Sequence, residues 1–260
     1  MTDIRLERQS RGDAGRVATV TVDNRAKLNI VDSAGIAALE RAFTELATEE
    51  TLRAVVLRGA GNRAFIGGAD IGAMATLEPE SARAFITNLH RACDAVRRLP
   101  VPVIARIEGY ALGAGLEIAA SCDLRIATPS ARFGMPEVKV GIPSVIEAAL
   151  LPRLVGWGRA RWLLYTGEII DAEEAARWGL VERVVPSADL DGALEACLSA
   201  ILAAGPGAIR LQKALVRDWE TLSLGDAIDR GIDAFAQAYA TPEPGQRMAA
   251  FLGQRKSKGR

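Results

Sequence analysis

The stretch Ile107-Glu-Gly-Tyr-Ala-Leu-Gly-Ala-Gly-Leu-Glu117-Ile-Ala-Ala-Ser-Cys-Asp123 decides the fold of this chain. It passes from a strand pattern to a helix pattern through Gly113, Ala114 and Gly115, and it places Glu117 in the first helical turn. The start of a helix exposes free N–H groups and a partial positive charge. Since the small residues let a substrate oxygen reach the backbone, we predict that this turn stabilises a developing oxyanion beside Glu117.

A second turn of small residues precedes this stretch. Residues 64–74, Ala-Phe-Ile-Gly-Gly-Ala-Asp-Ile-Gly-Ala-Met, follow a strand-like run at 53–59. Downstream, residues 131–143 carry Glu137 in a loop bounded by prolines. The sequence therefore combines two carboxylates with two turns, and each turn can offer one N–H to the same oxygen.

The rest of the first 190 residues alternates strands with helices. Alternating β-branched residues at 4–8 and 17–22 predict a β-hairpin. A helix is predicted from its cap at Asp32 to about residue 49, because its apolar residues recur on one face. The same alternation continues with strands at 54–59, 103–107 and 123–127 and with helices near 78–98 and 113–121. We therefore predict an α/β fold with repeated ββα-like units.

From about residue 190 onward the sequence predicts helices only. Glycine and proline breakers separate four helical segments, at 190–204, 206–218, 224–240 and 242–254. This change of character divides the chain into a core of residues 1–190 and a helical region of residues 191–260.

The composition argues against several classes of protein. The chain has 260 residues, 49% of them apolar, and its 32 basic and 32 acidic residues give a formal net charge of zero. It therefore has no general attraction for nucleic acid or for an anionic membrane. The three cysteines are widely spaced and lack a C-x-x-C motif, so neither a disulfide framework nor a metal site is predicted. Because no apolar run reaches the about 18 residues of a membrane span, and no apolar signal segment begins the chain, we expect a cytoplasmic protein.

Five motifs, in this order, resemble the crotonase superfamily and, within it, the enoyl-CoA hydratases. They are Asn-Arg-Ala-Lys-Leu-Asn at 24–29, Gly-Gly-Ala-Asp at 67–70, Gly-Tyr-Ala-Leu-Gly-Ala-Gly-Leu-Glu at 109–117, Phe-Gly-Met-Pro-Glu at 133–137 and the run at 164–181. Such an ordered set over most of a chain is far more specific than any single motif. The resemblance implies a spiral of ββα units, followed by a C-terminal helical region at 191–260. That region would cover the active site of its own or a neighbouring subunit and build a homotrimer, often paired into a hexamer.

The resemblance also implies roles for the residues of the two turns and the loop. The backbone N–H groups of Ala69 and Ala114 would form an oxyanion hole. Glu117 would act chiefly as the base for water, and Glu137 as the acid that delivers a proton to the α-carbon. Since two carboxylates in a partly dry site repel each other, one pKa should rise. The CoA group is part of the acyl-CoA substrate, and neither a metal nor a separate cofactor is implied.

The resemblance places the CoA thioester along the same turns, beside Ala69, Asp70, Ile71 and Gly113. Basic residues of the early loop and of the tail are the candidates for pairing with the adenosine phosphates, and they are Arg25, Lys27, Arg255, Lys256 and Lys258. Solvated surface charge is the alternative for each of them. Gly72 and Gln254 stand where relatives often carry a lysine.

Several of these residues have alternative interpretations. An unpaired carboxylate among apolar residues is costly, so Glu117 is alternatively one half of a buried ion pair with an arginine. Glu137 is alternatively an ordinary surface residue. The glycines of the first stretch do not make a dinucleotide motif, because Ile118 stands where the third glycine is needed. His90, the only histidine, lies in a predicted helix and is expected to pack or to face solvent, which leaves a Ser-His-Asp hydrolase without its histidine.

The largest departure from typical hydratases is the run Gly-Ile-Pro-Ser-Val-Ile-Glu-Ala-Ala-Leu-Leu-Pro at 141–152, which replaces a glycine-rich segment. Ser144 and Glu147 have the S-x-x-E spacing of a capping box directly before an apolar run. We therefore predict that they cap a helix. The alternative places Glu147 in the acyl pocket, as a third acidic group that selects a polar or short substrate or positions a water for hydrolysis.

We predict from these features an enoyl-CoA hydratase that adds water syn across the 2,3 double bond of an acyl-CoA thioester. This reaction needs a base, an acid and donors for an enolate oxygen, which two glutamates and two N–H groups supply. Another crotonase reaction is the first alternative: thioester hydrolysis, with Glu137 attacking the carbonyl, dehydration, or isomerisation of a double bond. Isomerases usually manage with one acid–base group, so the pair of glutamates favours hydration. A noncatalytic binding or scaffold protein is the second alternative, and the presence of both glutamates argues against it.

Overall fold

An antiparallel hairpin begins the chain in the computed structural model, which describes residues 1–258 and the side chains of residues 1–253. Its strands, β1 (Asp3–Ser10) and β2 (Arg16–Asp23), pair along their whole length. Gly12 and Gly15 in the turn have φ angles of 60° and 96°, which side-chain-bearing residues rarely adopt. The predicted hairpin is therefore confirmed.

Eight further strands complete two sheets. They are β3 (Leu52–Gly59), β4 (Ala64–Ile66), β5 (Val103–Ile107), β6 (Tyr110–Leu112), β7 (Leu124–Ala127), β8 (Arg132–Gly134), β9 (Ile169–Asp171) and β10 (Arg183–Val184). The six-stranded sheet has the order β1-β2-β3-β5-β7-β10 and is parallel apart from the hairpin. The four-stranded sheet has the order β4-β6-β8-β9 and is parallel apart from the β8–β9 pair.

Eleven helices connect and follow the strands in residues 1–258. They are α1 (Ser33–Leu46), α2 (Ile71–Met74), α3 (Pro79–Arg98), α4 (Ala114–Ser121), α5 (Leu151–Val155), α6 (Trp157–Thr166), α7 (Ala172–Trp178), α8 (Leu190–Ala203), α9 (Pro206–Trp219), α10 (Leu224–Ala238) and α11 (Glu243–Lys258). As predicted, Asp32 caps α1, because its carboxylate accepts from the Gly35 N–H at 2.8 Å. Short 3₁₀ helices lie at Arg25–Lys27, Pro136–Val140, Ile146–Leu150 and Ser187–Asp189.

The strands and helices wind in repeated units, as the sequence predicts. One strand joins the six-stranded sheet, the next joins the four-stranded sheet, and a helix follows. The pairs β3–β4, β5–β6 and β7–β8 each obey this order. The central strands β3 and β5 are almost wholly buried, which matches their nearly continuous apolar sequence and the covering of both faces of a parallel sheet.

This winding brings the predicted site residues together. The strands β4, β6 and β8 are parallel neighbours, so their carboxyl ends lie at one edge of the four-stranded sheet. The turn Gly67–Ala69 follows β4, the turn at Gly113 and Ala114 follows β6, and the 3₁₀ helix that carries Glu137 follows β8. One edge therefore presents every turn that the sequence singles out.

The chain divides into two units, residues 1–197 and residues 198–260, so α8 begins in the first and ends in the second. The first contains both sheets. In the second, α9 packs against α10, and the Glu243 carboxylate accepts hydrogen bonds from the N–H groups of Gly207 at 2.9 Å and Ala208 at 3.1 Å. Only helices occur in this unit up to residue 258, as predicted.

Along residues 1–258, no single helix has both the length and the apolar composition for crossing a bilayer. The helices α8 and α9, with their flanking residues, meet these two criteria only as a bent pair.

Candidate active site

The turn after β4 is shaped by the loop that precedes α1. Val31 donates from its N–H to the Gly68 carbonyl at 2.9 Å and accepts from the Asp70 N–H at 3.0 Å. Gly68 has a φ of 122°, where any side chain would be strained. The Asp70 carboxylate accepts from two N–H groups of α2 and so caps that helix. Within the described part of the chain, the Ala69 N–H has no acceptor.

Two glycines allow the turn after β6 to approach its neighbours closely. A Cβ on Gly113, which has a φ of 51°, would lie 2.2 Å from Oε1 of Glu137. A Cβ on Gly115 would lie 2.0 Å from the Ile66 carbonyl oxygen, so this glycine lets α4 pack against the end of β4. Ala114 is the first residue of α4, and its N–H finds no acceptor among residues 1–258. The second turn therefore offers a free donor at a helix start.

Glu117 is buried in the first turn of α4, with only 4% of its surface exposed. Its Oε1 accepts from the Ala148 N–H at 3.2 Å, and no arginine pairs with it among the described side chains. The alternative of a buried ion pair is therefore wrong. Burial, followed by the nearby Glu137 carboxylate, raises the pKa of Glu117 to about 8, although the Ala148 hydrogen bond acts in the opposite direction. Glu117 thus carries a proton at neutral pH.

Glu137 lies in the 3₁₀ helix after β8 and is partly buried. One carboxylate oxygen lies against Gly113, and the other accepts from the Ser144 hydroxyl at 2.7 Å. Because the Gly113 contact places it at the start of α4, Glu137 belongs to the site and is not a solvated surface residue. The two glutamates thus lie in the same site. The negative charge of Glu137 is one cause of the raised pKa of Glu117, which also indicates that the two carboxylates are close.

A largely apolar cavity of about 220 Å³ joins these groups. Its walls include both predicted N–H donors, both glutamates and the Ser144 side chain: Ala69, Gly113, Ala114, Glu117, Glu137 and Ser144. Apolar side chains of α2, α3 and residues 140–145 form much of the remaining wall and continue into a groove of about 600 Å³. The cavity therefore joins a polar end, where acid–base chemistry can occur, to an apolar channel for a hydrocarbon chain.

The predicted CoA-binding residues have different surroundings. Ala69, Ile71 and Gly113 line the cavity. The Lys27 ammonium lies 3.9 Å from an oxygen of Asp70, so it flanks the first turn. Arg25 forms an ion pair with Asp23 at 2.9 Å and lines a separate cavity on the six-stranded sheet. The side chains of Arg255, Lys256 and Lys258 lie outside the described residues.

The predicted capping box at Ser144 and Glu147 is wrong. The Ser144 hydroxyl donates to Glu137 and does not accept from the backbone N–H of Glu147. Oε1 of Glu147 lies 2.8 Å from Nδ1 of His90 on α3, and the short helix that follows has no side-chain cap. The reason lies in tertiary contacts. The 3₁₀ helix Ile146–Leu150 packs against α3 and α4, which offer hydrogen-bond partners that the spacing in the sequence does not reveal. His90 is thus a hydrogen-bond partner of a buried carboxylate, a role that its position in a helical run did not predict.

Sequence reasoning also missed two other contributions to the site. The Ala148 N–H binds Glu117, and the side chain of Lys139 lines the cavity. A backbone donor leaves no mark in a sequence, because every residue except proline has one. Lys139 follows Glu137 by two positions, and the 3₁₀ helix Pro136–Val140 places both residues at the cavity.

The arrangement can add or remove a proton on two sides of a bound group and stabilise an oxyanion between them. Two N–H groups without acceptors face the cavity from neighbouring strand ends. Burial holds Glu117 protonated at neutral pH, and the Glu137 carboxylate accepts a hydrogen bond from the Ser144 hydroxyl. Such a pair is equipped for reactions that pass through an enolate.

Comparison with known proteins gives a consistent result. Residues 12–258 match the family model for enoyl-CoA hydratase/isomerase. A short-chain-enoyl-CoA hydratase of Clostridium acetobutylicum is 35% identical over 94% of this chain and 94% of its own length. A crotonyl-CoA hydratase of Syntrophomonas wolfei is also 35% identical, over 93% of this chain and 94% of its own.

The solved structures confirm the expected crotonase fold. The enoyl-CoA hydratase of Bacillus anthracis aligns with a TM-score of 0.90 and 32% identity, covering 96% of both chains. The enoyl-CoA hydratase of Mycobacterium smegmatis gives a TM-score of 0.90 with 34% identity over 96% of both chains. This chain therefore belongs to the enoyl-CoA hydratase/isomerase family of the crotonase superfamily.

Proposed function

We propose that this protein is an enoyl-CoA hydratase that adds water across the 2,3 double bond of an acyl-CoA thioester. The observation that carries the proposal is the meeting of Glu117, Glu137 and two N–H groups without acceptors on one cavity. Relatives named as hydratases of short-chain enoyl-CoA and crotonyl-CoA support the same reaction.

In the proposed mechanism the thioester oxygen accepts hydrogen bonds from the N–H groups of Ala69 and Ala114. Glu117 removes a proton from water as its oxygen bonds to the β-carbon, and the electron pair of the double bond moves toward the thioester oxygen. Glu137 then delivers its proton to the α-carbon, and the enolate collapses to the 3-hydroxyacyl thioester. The donors matter most at the enolate stage, when the oxygen carries the most negative charge.

The raised pKa of Glu117 is compatible with this mechanism. With the pKa of Glu117 at about 8, the proton is on Glu117, which is the state from which the reverse reaction, dehydration, begins. Hydration begins when the proton has moved to Glu137, and each turnover returns the pair to the first state. Because both directions need one proton on the pair, activity should fall above about pH 8, where that proton is lost.

The proposed reaction needs neither a metal nor a separate cofactor, because the backbone donors and the two carboxylates supply the required charge stabilisation and proton transfers. We propose Lys27 over Arg25 as the early-loop partner of a CoA phosphate, because Lys27 lies beside the first turn, 3.9 Å from Asp70, whereas Arg25 pairs with Asp23 at 2.9 Å and lines a separate cavity. Cys93, Cys122 and Cys197 form no disulfide among the described residues, and we propose a cytoplasmic location on this support.

Thioester hydrolysis is the alternative that a direct assay separates from hydration. With crotonyl-CoA as substrate, hydration removes the absorbance of the conjugated thioester and leaves the thioester bond intact. Hydrolysis instead releases a free thiol, which a disulfide reagent detects in the same sample. We expect loss of conjugation without release of thiol. Stoichiometric thiol release would replace the proposed function with a hydrolase in which Glu137 is the nucleophile.

We also propose that the C-terminal helices build a homotrimer or a dimer of trimers. The residues Leu224, Ile228, Ile232, Phe235 and Tyr239 are exposed and recur on one face of α10. An exposed apolar stripe of this kind typically marks a protein–protein interface.

Charge on this stripe is expected to disrupt assembly. In Ile232→Glu a carboxylate would have to be buried in the interface, so the variant should sediment mainly as a smaller species at micromolar concentration. Gln237→Glu adds the same charge to the other face of α10 and should assemble like the wild type. Sedimentation velocity on the full chains measures both, and a wild-type protein that sediments as a monomer would contradict the proposal.

A further inference from the structure

The segment from Ser144 to Ala148 touches both glutamates. Its first residue donates to Glu137 from the hydroxyl at 2.7 Å, and its last donates to Glu117 from the backbone at 3.2 Å. Between them Ile146 has a φ of 42°, a left-handed conformation that is strained for a β-branched side chain. Something must therefore hold the segment in place.

The contact between Glu147 and His90 ties this segment to α3. Oε1 of Glu147 lies 2.8 Å from Nδ1 of His90, which donates when that nitrogen carries a proton. The Glu147 side chain is only 4% exposed, whereas that of His90 is 49% exposed. Glu147 thus reaches outward from the interior to a histidine at the surface.

Stability does not explain this carboxylate. Its second oxygen, Oε2, is buried and has no hydrogen-bond partner among the described residues. A buried carboxylate with one oxygen unpaired is costly, and a leucine of similar size would fill the space without that cost. From this segment, Ser144 and Val145 line the cavity and Glu147 does not. Glu147 therefore lies beside the cavity and not in its wall. Any contribution of Glu147 to the reaction must therefore act through other residues.

We propose that Glu147, held by His90, is a positioning residue for the two active-site glutamates. Its pairing to α3 fixes the strained segment, so that the Ser144 hydroxyl and the Ala148 N–H keep their places on Glu137 and Glu117. Its carboxylate also adds negative charge behind Glu117. This inference rests on the proposed hydratase function and adds a residue pair to it.

The charge has a measurable consequence because several ionisable groups surround it. His90, Cys93, Asp94 and Arg97 on α3 act on Glu147, and Glu117 on α4 lies within range of its field. After burial and Glu137, the Glu147 carboxylate is a further group that raises the pKa of Glu117. Removing this charge lowers that pKa, so the alkaline fall in activity should move to lower pH.

Two substitutions separate the two contributions. Glu147→Gln keeps an oxygen for the His90 N–H but removes the charge. We expect it to keep most of the wild-type kcat at its optimum and to shift the alkaline limb of kcat/KM to lower pH. Glu147→Leu removes the acceptor as well and should lower kcat by about tenfold to a hundredfold with little change in KM, because small displacements of catalytic groups are costly.

His90→Leu and a matched control complete the experiment. If the pair acts as one unit, His90→Leu should lower kcat about as much as Glu147→Leu, and the double variant should lose no more than either. Glu182→Gln removes a charge from another ion pair, with the buried Arg125, and should leave the alkaline limb unchanged. Circular dichroism and thermal unfolding establish that each variant is folded.

The outcomes are decisive in either direction. If the wild type hydrates crotonyl-CoA and a folded Glu147→Leu variant keeps the wild-type kcat, the positioning role is wrong while the proposed function stands. Should that variant not fold, a folded His90→Leu variant with the wild-type kcat would overturn the positioning role in the same way. If the pH profile of Glu147→Gln superimposes on that of the wild type, the charge contribution to Glu117 is wrong. If the wild type does not hydrate any enoyl-CoA, the proposed function itself fails.

Discussion

Replacing Glu117 by glutamine is expected to lower kcat for hydration of an enoyl-CoA by about 10² to 10⁴, the range that positioned acid–base groups contribute. Glutamine keeps an oxygen for the Ala148 N–H, but it can neither accept nor carry the shared proton. Initial rates with crotonyl-CoA over a range of pH measure the effect. The alkaline fall near pH 8 should disappear with the carboxyl group that causes it. A folded variant within about tenfold of the wild-type kcat would remove Glu117 from the mechanism.

The same variant should become more stable than the wild type in alkaline solution. Glu117 has its pKa raised from 4.5 to about 8 in the folded protein, so its protonated form favours folding. That contribution is complete below pH 4.5 and is lost as the pH rises through about 8. Glutamine has no charge to bury. Above pH 8 the Glu117→Gln protein should therefore unfold at a higher temperature than the wild type, by about 2 to 4 °C for each kcal/mol gained in the free energy of unfolding. Glu45→Gln, which removes a charge from an exposed ion pair with Arg8, serves as the control and should show no such gain.

Substituting proline for Ala114 is expected to lower kcat by about 10² to 10³, the usual loss when one oxyanion donor is removed. Proline has no N–H, and its ring would occupy the space where the thioester oxygen is proposed to bind. The fold should tolerate the change, because Ala114 is the first residue of α4, a position where proline is favoured and where the N–H has no helical acceptor. Rates with crotonyl-CoA, together with circular dichroism, measure activity and fold.

Two controls isolate the missing donor. Ala114→Gly keeps the N–H and should retain most of the activity. Ser33→Pro places a proline at the first position of α1, which is capped by Asp32, and should leave kcat unchanged. If a folded Ala114→Pro protein turns over at the wild-type rate, the oxyanion donor on this side of the site is another group.

Local patterns predicted most of the fold because the relevant signals are short in sequence. The alternation of the hairpin, the cap at Asp32 and the apolar periodicity of α3 each involve neighbouring residues. The two turns of small residues were also visible, since glycines at 68 and 113 with positive φ mark positions that other residues avoid. The family motifs added the order of the units, which local patterns alone do not contain.

The contacts that complete the site were not predictable, because they join residues far apart in the chain. Glu147 and His90 are separated by 57 positions, and Ala148 and Glu117 by 31. The S-x-x-E spacing at Ser144 favoured a local cap, but the tertiary partners Glu137 and His90 bind those two side chains instead. The pKa of Glu117 likewise depends on burial, which only the packed structure defines.

The order β4-β6-β8 in the smaller sheet has a consequence for how the chemistry of such a protein can diverge. Ala69 and Ala114 follow adjacent parallel strands, so their separation depends on the strand spacing of about 4.8 Å and not on any side chain. The proton-transfer groups, in contrast, are side chains that single nucleotide changes can exchange. Descendants of this chain can therefore alter residues at 117, 137 or 144–147 while the N–H groups of Ala69 and Ala114 keep their separation.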